Sequence, residues 1–226
     1  MLAPWMRGYA PSPRNGPYDL LSLVDDIVDL IDAWSPDQPV DLVGHDWGGV
    51  LAYLTSAYAQ ERIRCVVTLA MPHPKTFIHQ LRTPAQMRAS WYMALFQLPG
   101  SAWIVARDDF DLIDRMWRKW SPGFTLPEPA RRQLHDMLVA SMPAPLEYYR
   151  EARRQARKLL ALDFPLVCSP LLALHGAKDG CVLPPTVDDG ELFGAPYERE
   201  TLPDVGHFLH LEAPQQIAER IAKFLA

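Results

Sequence analysis

"GHDWGG" spans residues 44–49, between the largely apolar run Val40–Val43 and a run that turns helical near Val50. Strand, tight glycine-flanked turn, helix is the setting in which a chain exposes a nucleophile at the edge of a sheet. The exposed residue in such an elbow is commonly serine. Here it is Asp46. A carboxylate is a poor acyl acceptor but can displace a leaving group at a saturated carbon, forming an ester with the protein. The elbow therefore argues for alkyl-ester chemistry and against an ordinary esterase.

Working outward, "YDLLSLVDDIVDLIDAW" (18–34) puts apolar residues at helical spacing with acids opposite. "RIRCVVTLAMP" (62–72) reads as a buried strand. Helix, strand, helix, strand is the rhythm of a parallel sheet built from right-handed crossovers. From about Lys75 to Leu160 the composition shifts to Trp, Met, Arg and Pro. Patches such as "DDFDLIDRMWRKW" and "ARRQLHDMLVA" predict helices and no strand. The α/β rhythm resumes with "SPLLALHGAKDG" (169–180) and "YERETLPDVGHF" (197–208), and "PQQIAERIAKFLA" (214–226) closes as an amphipathic helix with Pro214 at its start. The reading is a mostly parallel α/β core in two parts, 1–74 and 161–226, with a helical lid over 75–160. The basic run Arg150, Arg153, Arg154, Arg157 and Lys158 reads as a solvated helix face rather than an anion site.

Three residues each follow a predicted strand: Asp46 in the elbow, Asp179 in "HGAKDG" and His207 in "PDVGHF". In open parallel sheets the loops at the strand C-termini build the site. Alone, each has a structural explanation as a cap, turn or loop residue. Together, in the order nucleophile, acid, histidine, they form a catalytic constellation, with Asp179 holding the His207 imidazole and His207 activating water.

With those residues in hand, the chain resembles the α/β-hydrolase superfamily, in its epoxide hydrolase and haloalkane dehalogenase branch. "GHDWGG" is similar to that branch's elbow, and "RGYAPS" (7–12) to its "RGYGxS" segment. The resemblance implies an α/β-hydrolase fold with a helical cap, and hydrolysis of a small apolar epoxide by water to a vicinal diol. It also implies a tyrosine four residues before "FQ-x-PG", which Tyr92 fits with "FQLPG" (96–100), and a second tyrosine directly before a late lid arginine, which Tyr149 fits before Arg150. A phenol suits the developing alkoxide because it is neutral at pH 7 and can donate. The Trp47 backbone N–H becomes an oxyanion-hole donor, His45 supports the elbow, and Trp91, Phe96, His73 and Phe208, with Met93 and Leu98, are candidate pocket wall. Epoxide over halide rests on the two tyrosines, since Trp47 fits either chemistry; a haloalkane dehalogenase is the alternative enzyme.

The branch's sheet starts with three strands and an "HGxP" loop before "RGY". This sequence has no HGxP, and "MLAPW" (1–5) reads as the end of a strand. The expectation is an N-terminally truncated core lacking its first strands. Loss of one oxyanion donor would cost roughly 10²–10³ in rate, so a catalytically impaired fragment is a further alternative.

The 226 residues are 49% hydrophobic and 22% charged, ordinary for a globular protein. A net charge of −5 gives no reason to expect nucleic acid or an anionic membrane as partner. Cys65, Cys168 and Cys181 are too scattered for a disulfide framework or zinc motif, which points to a reducing, cytoplasmic setting. No apolar run approaches the roughly 18 residues of a membrane span. No metal or organic cofactor is implied, and a homodimer is compatible with the sequence.

Overall fold

The computed structural model describes residues 1–155 and 165–226. Four parallel strands form one sheet in the order β1 (Val40–His45), β2 (Ile63–Leu69), β3 (Leu171–Gly176), β4 (Tyr197–Leu202). The register aligns their C-terminal ends: His45 pairs Leu69, Leu69 pairs Leu174, and Gly176 pairs Leu202. Asp46, Asp179 and His207 thus leave the sheet at the same edge.

Helices cover both faces, so the central strands are apolar throughout rather than alternating. Val66, Leu171 and Ala173 point to a core shared with Ile31, Ala52 and Tyr53. Those last three come from α1 (Leu20–Trp34) and α2 (Trp47–Tyr58). Val67, Leu69, Leu172 and Leu174 point the other way, onto Leu209 and Ile217, which the last two helices described below supply. The period-2 alternation of β2 and β3 assigns each residue its side. α1 starts where Asp19 caps the Ser22 N–H through its carboxylate, at 3.1 Å.

Between β2 and β3 the described chain is helical: α3 (Pro74–Gln80), α4 (Pro84–Ala89), α5 (Trp91–Leu95), α6 (Ser101–Trp120), α7 (Glu128–Ser141) and α8 (Ala144–Arg154). α6 is broken at Arg107–Phe110, where Asp108, Asp109 and Phe110 all have positive φ. After β4 come α9 (Leu209–Glu212) and α10 (Pro214–Leu225). Among the described residues no helix is long and apolar enough to cross a membrane.

Met1–Trp5, read from sequence as a strand end, forms none; its residues are exposed. A strand requires a ladder partner, and the first backbone bonds here are turn bonds, such as Gly8 N–H to the Pro13 carbonyl. Among the described residues no strand precedes β1, and the outer edge of β1 is unpaired. Val43 on that strand is 46% exposed and Trp34 on α1 61%.

Candidate active site

Asp46 joins β1 to α2 with φ 50° and ψ −117°, strained for a residue with a side chain. Its N–H donates to the Leu69 carbonyl at 3.2 Å, and its carbonyl accepts from the Val50 N–H at 3.1 Å. Strand and helix therefore hold the turn from both sides. Gly44 is required because a Cβ there would lie 2.1 Å from the Gly48 carbonyl oxygen. A Cβ on Gly49 would lie 3.0 Å from Met71 Cβ, whereas one on Gly48 would meet nothing. Two of the motif's three glycines thus have a packing reason.

Asp179 lies just beyond β3. Its Oδ1 accepts the N–H groups of Cys181 at 2.7 Å and Val182 at 2.9 Å, and its Oδ2 sits 2.9 Å from His207 Nδ1. His207 Nε2 lies 3.4 Å from Asp46 Oδ1. With Nδ1–H donated to Asp179, Nε2 is the nitrogen that faces the elbow. The Trp120 carbonyl, at the end of α6, accepts from both Gly180 N–H (3.1 Å) and His207 N–H (3.0 Å), tying the acid loop to the histidine loop. His45 braces the same loop, its Nε2–H donating to the His207 carbonyl at 2.9 Å. Burial, with His207 and His210 alongside, lowers the His45 pKa to about 3, so this ring is neutral.

Electrostatics follow from that geometry. Burial works to raise the Asp179 carboxyl, but His207 and the His175 hydrogen bond hold it down at about 2. For Asp46, burial again works upward, and the His207 contact keeps it below its ordinary value. Burial by itself would lower His207. The Cys181 sulfur beside it, with the Asp179 and Asp46 carboxylates at opposite ends of its ring, outweighs that and pushes it well above the usual imidazole range. The Trp47 backbone N–H is directed at the Asp46 carboxylate.

A cavity of about 630 Å³ opens onto Asp46. Tyr92 and Tyr149 share its wall, with ring centroids 5.7 Å apart. Gln97, the glutamine of "FQLPG", donates to the backbone carbonyls of Met93 and Tyr149, both at 3.1 Å, and so joins the two tyrosine-bearing helices. Arg150 donates to the Phe96 carbonyl and the Ser101 hydroxyl, both at 3.0 Å. Burial raises both phenols well above their usual value, so both are protonated at neutral pH. Tyr148, the next residue along, points elsewhere and donates to the Arg7 carbonyl.

The rest of the wall differs from the sequence reading. Met93 lines the cavity, but Trp91, Phe96, His73 and Phe208 do not. Trp91 is 40% exposed. Phe96 packs behind Tyr92 and Tyr149. His73 caps α3, accepting from Lys75 N–H at 3.2 Å, with its ring against Tyr53. Phe208 stacks on Trp117 at 3.6 Å. Leu98 faces a separate surface depression with Pro99 and Arg154. The sequence reading missed α3: Phe77 and Ile78, followed by Leu81 and Arg82, form one side of the cavity. Their apolar spacing was a readable signal.

The solvated-face reading holds for Arg153 and Arg154, both exposed, though Arg153 also borders the cavity and Arg154 pairs with Glu151. Arg150 departs from it: it is half-buried and bound to the Phe96 carbonyl. Arg157 and Lys158 lie outside the described residues.

Gln86 of α4, 1% exposed, was also missed. It donates to the Cys181 carbonyl at 2.8 Å and accepts from Leu183 N–H at 2.9 Å, clamping the loop that carries Asp179. Gln86→Leu leaves two buried backbone groups unpaired, each costing about 1–3 kcal/mol. The expected result is a lower melting temperature in a thermal unfolding scan; an unchanged one would show that the clamp contributes nothing to stability.

A model described as the alpha/beta hydrolase family matches residues 3–220. The chain belongs to the alpha/beta hydrolase family. Over 231 residues it is 29% identical to epoxide hydrolase 4 of Homo sapiens, covering 97% of this chain and 63% of that protein. It is 25% identical to epoxide hydrolase A of Mycobacterium tuberculosis over 266 residues, covering 100% of this chain and 81% of that one. Among solved structures, a mutant of an epoxide hydrolase from Bacillus megaterium superposes with a TM-score of 0.83 at 25% identity, covering 97% of this chain and 81% of that one. The chain spans 63% and 64% of the human and mouse epoxide hydrolase 4 proteins, less than two thirds of either. Asp46, Asp179 and His207 follow the C-terminal ends of β1, β3 and β4.

Proposed function

We propose that this alpha/beta hydrolase opens epoxides to vicinal diols through an ester on Asp46, with residues 75–160 acting as a lid over the 1–74 and 161–226 core. The observation that carries the reading is the presence of Asp46 and two protonated phenols, Tyr92 and Tyr149, on the wall of one cavity. The names of the relatives point the same way.

In the first step an Asp46 carboxylate oxygen attacks an epoxide carbon. The carbon–oxygen bond of the ring breaks, and the ring oxygen leaves with the bonding pair, taking a proton from a tyrosine hydroxyl. An alkoxide is far more basic than a phenolate, so even a raised phenol can supply this proton. In the second step His207 takes a proton from water, and the hydroxide attacks the carboxyl carbon of Asp46. Negative charge develops on the ester carbonyl oxygen, where the Trp47 N–H is aimed. Collapse breaks the ester bond; the leaving alkoxide takes the proton held by His207 and departs as the diol, and the proton of the restored carboxyl passes to the phenolate, regenerating the carboxylate and the phenol.

His207 changes role between the steps for an electrostatic reason. While Asp46 is ionised, the two carboxylates favour imidazolium. Esterification neutralises Asp46 and removes one of them. The imidazole's pKa falls, and His207 becomes free to act as a base at the step that needs one.

A halide-releasing enzyme needs N–H donors facing the leaving group. Here the Trp47 indole N–H is hydrogen-bonded to the Tyr149 side chain, so this donor is engaged by a phenol, and it is the two phenols that favour the epoxide reading. The test is diol formation from a panel of aryl and aliphatic epoxides, with halide release from haloalkanes measured in parallel. Tyr92→Phe and Tyr149→Phe should each lower kcat/KM by roughly 10²–10³, and the double variant by more. Full activity in both single variants, or halide release without diol, would overturn the reading.

A further inference from the structure

Cys181 is a group that the proposed reaction does not use. It is 1% exposed, two residues after Asp179, and its Sγ lies 3.3 Å from the Tyr92 hydroxyl. Cys181 Sγ, an oxygen of Asp46 and a nitrogen of His207 all lie within 4.8 Å of one another. We infer that these three side chains form a binding site for a thiophilic divalent cation of the zinc and cadmium class, and that a bound ion shuts the protein off.

The donor set fits such an ion. Thiolate, imidazole and carboxylate are the ligands zinc takes, and three protein ligands leave a fourth position for water. The spacing of the nitrogen–oxygen pair fits as well, and the sulfur lies close enough to reach the same ion with a small side-chain movement. Zinc–nitrogen and zinc–oxygen bonds of about 2.0–2.2 Å at a tetrahedral angle put the two ligand atoms about 3.4 Å apart. His207 Nε2 and Asp46 Oδ1 are 3.4 Å apart, long for a hydrogen bond and suited to a shared ion. His207 already has the outer partner a metal-bound imidazole uses: Nδ1–H donated to Asp179 at 2.9 Å. That bond orients the ring and leaves the Nε2 pair for the ion.

Charge balance favours capture. The Asp46 carboxylate and the Cys181 thiolate together neutralise a divalent cation in a site that is otherwise mostly closed. On binding, the sulfur–hydrogen bond is exchanged for a sulfur–metal bond and the Nε2–H bond of the imidazolium for a nitrogen–metal bond, so two protons leave to solvent. Entry is through the cavity, since the Asp46 side chain is 26% exposed there. A magnesium or calcium ion, which wants six or more oxygen ligands, finds one carboxylate and is excluded. The inhibition rests on the aspartate mechanism proposed above; the binding does not, because it needs only the three side chains in place.

The test is a titration of the full chain with cadmium, read by the ultraviolet sulfur-to-cadmium charge-transfer band. The expected result is saturation at one ion per chain, displacement of the band by zinc and none by magnesium. Cys65→Ser and Cys168→Ser should keep the band. Cys181→Ser should remove it, with circular dichroism checking the fold. Should that variant not fold, His207→Gln and Asp46→Asn carry the test, each weakening cadmium binding at least about tenfold. Absence of the band in the wild type, its survival in Cys181→Ser, or unchanged affinity in both ligand variants would overturn the inference. Because the readout is binding, a chain that makes no diol would still answer it. Where diol is made, stoichiometric zinc should abolish its formation, and a chelator should restore it.

Discussion

Asp46→Asn is expected to abolish diol formation, lowering kcat/KM by at least about 10⁴, as removal of a nucleophile does elsewhere. It should do so with little change in melting temperature. Asparagine has the shape of aspartate and tolerates positive φ better than most residues. The elbow's own bonds are made by backbone: Asp46 N–H to Leu69 and Val50 N–H to the Asp46 carbonyl. None of them needs the carboxylate. What is lost is the anionic oxygen that attacks carbon in the proposed reaction, together with one of the two carboxylate charges facing His207. The check combines product analysis with mass spectrometry of the protein. No diol and no mass adduct, from a protein that still melts cooperatively, is the expected outcome. Diol from Asp46→Asn at a substantial fraction of the wild-type rate would mean that water attacks the substrate directly, without an ester.

Much of this site is legible in the sequence alone, and the reason is local. An elbow is a contiguous signal: strand pattern, glycines and exposed residue lie close together along the chain. Asp179 and His207 follow equally compact strand patterns, and a parallel sheet brings all such strand ends to one edge, so order along the chain was enough to group them. The phenols needed the resemblance. Composition cannot separate Tyr149 from Tyr148, yet in the fold one faces Asp46's cavity and the other reaches Arg7. The lining residues failed for a physical reason. Helices packed against helices bury apolar side chains on several faces, and nothing in the aromatic content of Trp91, Phe96 or Phe208 says whether the neighbour is a void or another ring. Gln86 and Cys181 are a different case. Their importance comes from contacts between segments far apart in sequence, and no periodicity reports such a contact. The strand expected at Met1–Trp5 failed because a β pattern is only half of a strand; the ladder partner is the other half.

His207→Gln is expected to stop the reaction halfway. Attack by Asp46 needs no base, so the ester should still form. Its hydrolysis needs one, and loss of a general base costs about 10²–10⁴. The variant should therefore accumulate one substrate per chain, seen as a mass increase equal to the epoxide, while diol release falls by about 10³. The wild type offers the same separation through pH. Asp46 lies below the ordinary carboxylate range, so ester formation persists as the solution is acidified. His207 in the ester form still faces Asp179, which favours its charged state. Hydrolysis accordingly fails as pH falls through the imidazole's pKa in the ester, well before alkylation does. Acid-quenched samples taken during turnover should show the fraction of esterified wild-type protein rising as the solution is acidified through the imidazole's pKa, while His207→Gln stays esterified throughout. An ester fraction in the wild type that falls with acidification would place the rate-limiting proton in the first step and remove His207 from the role of base.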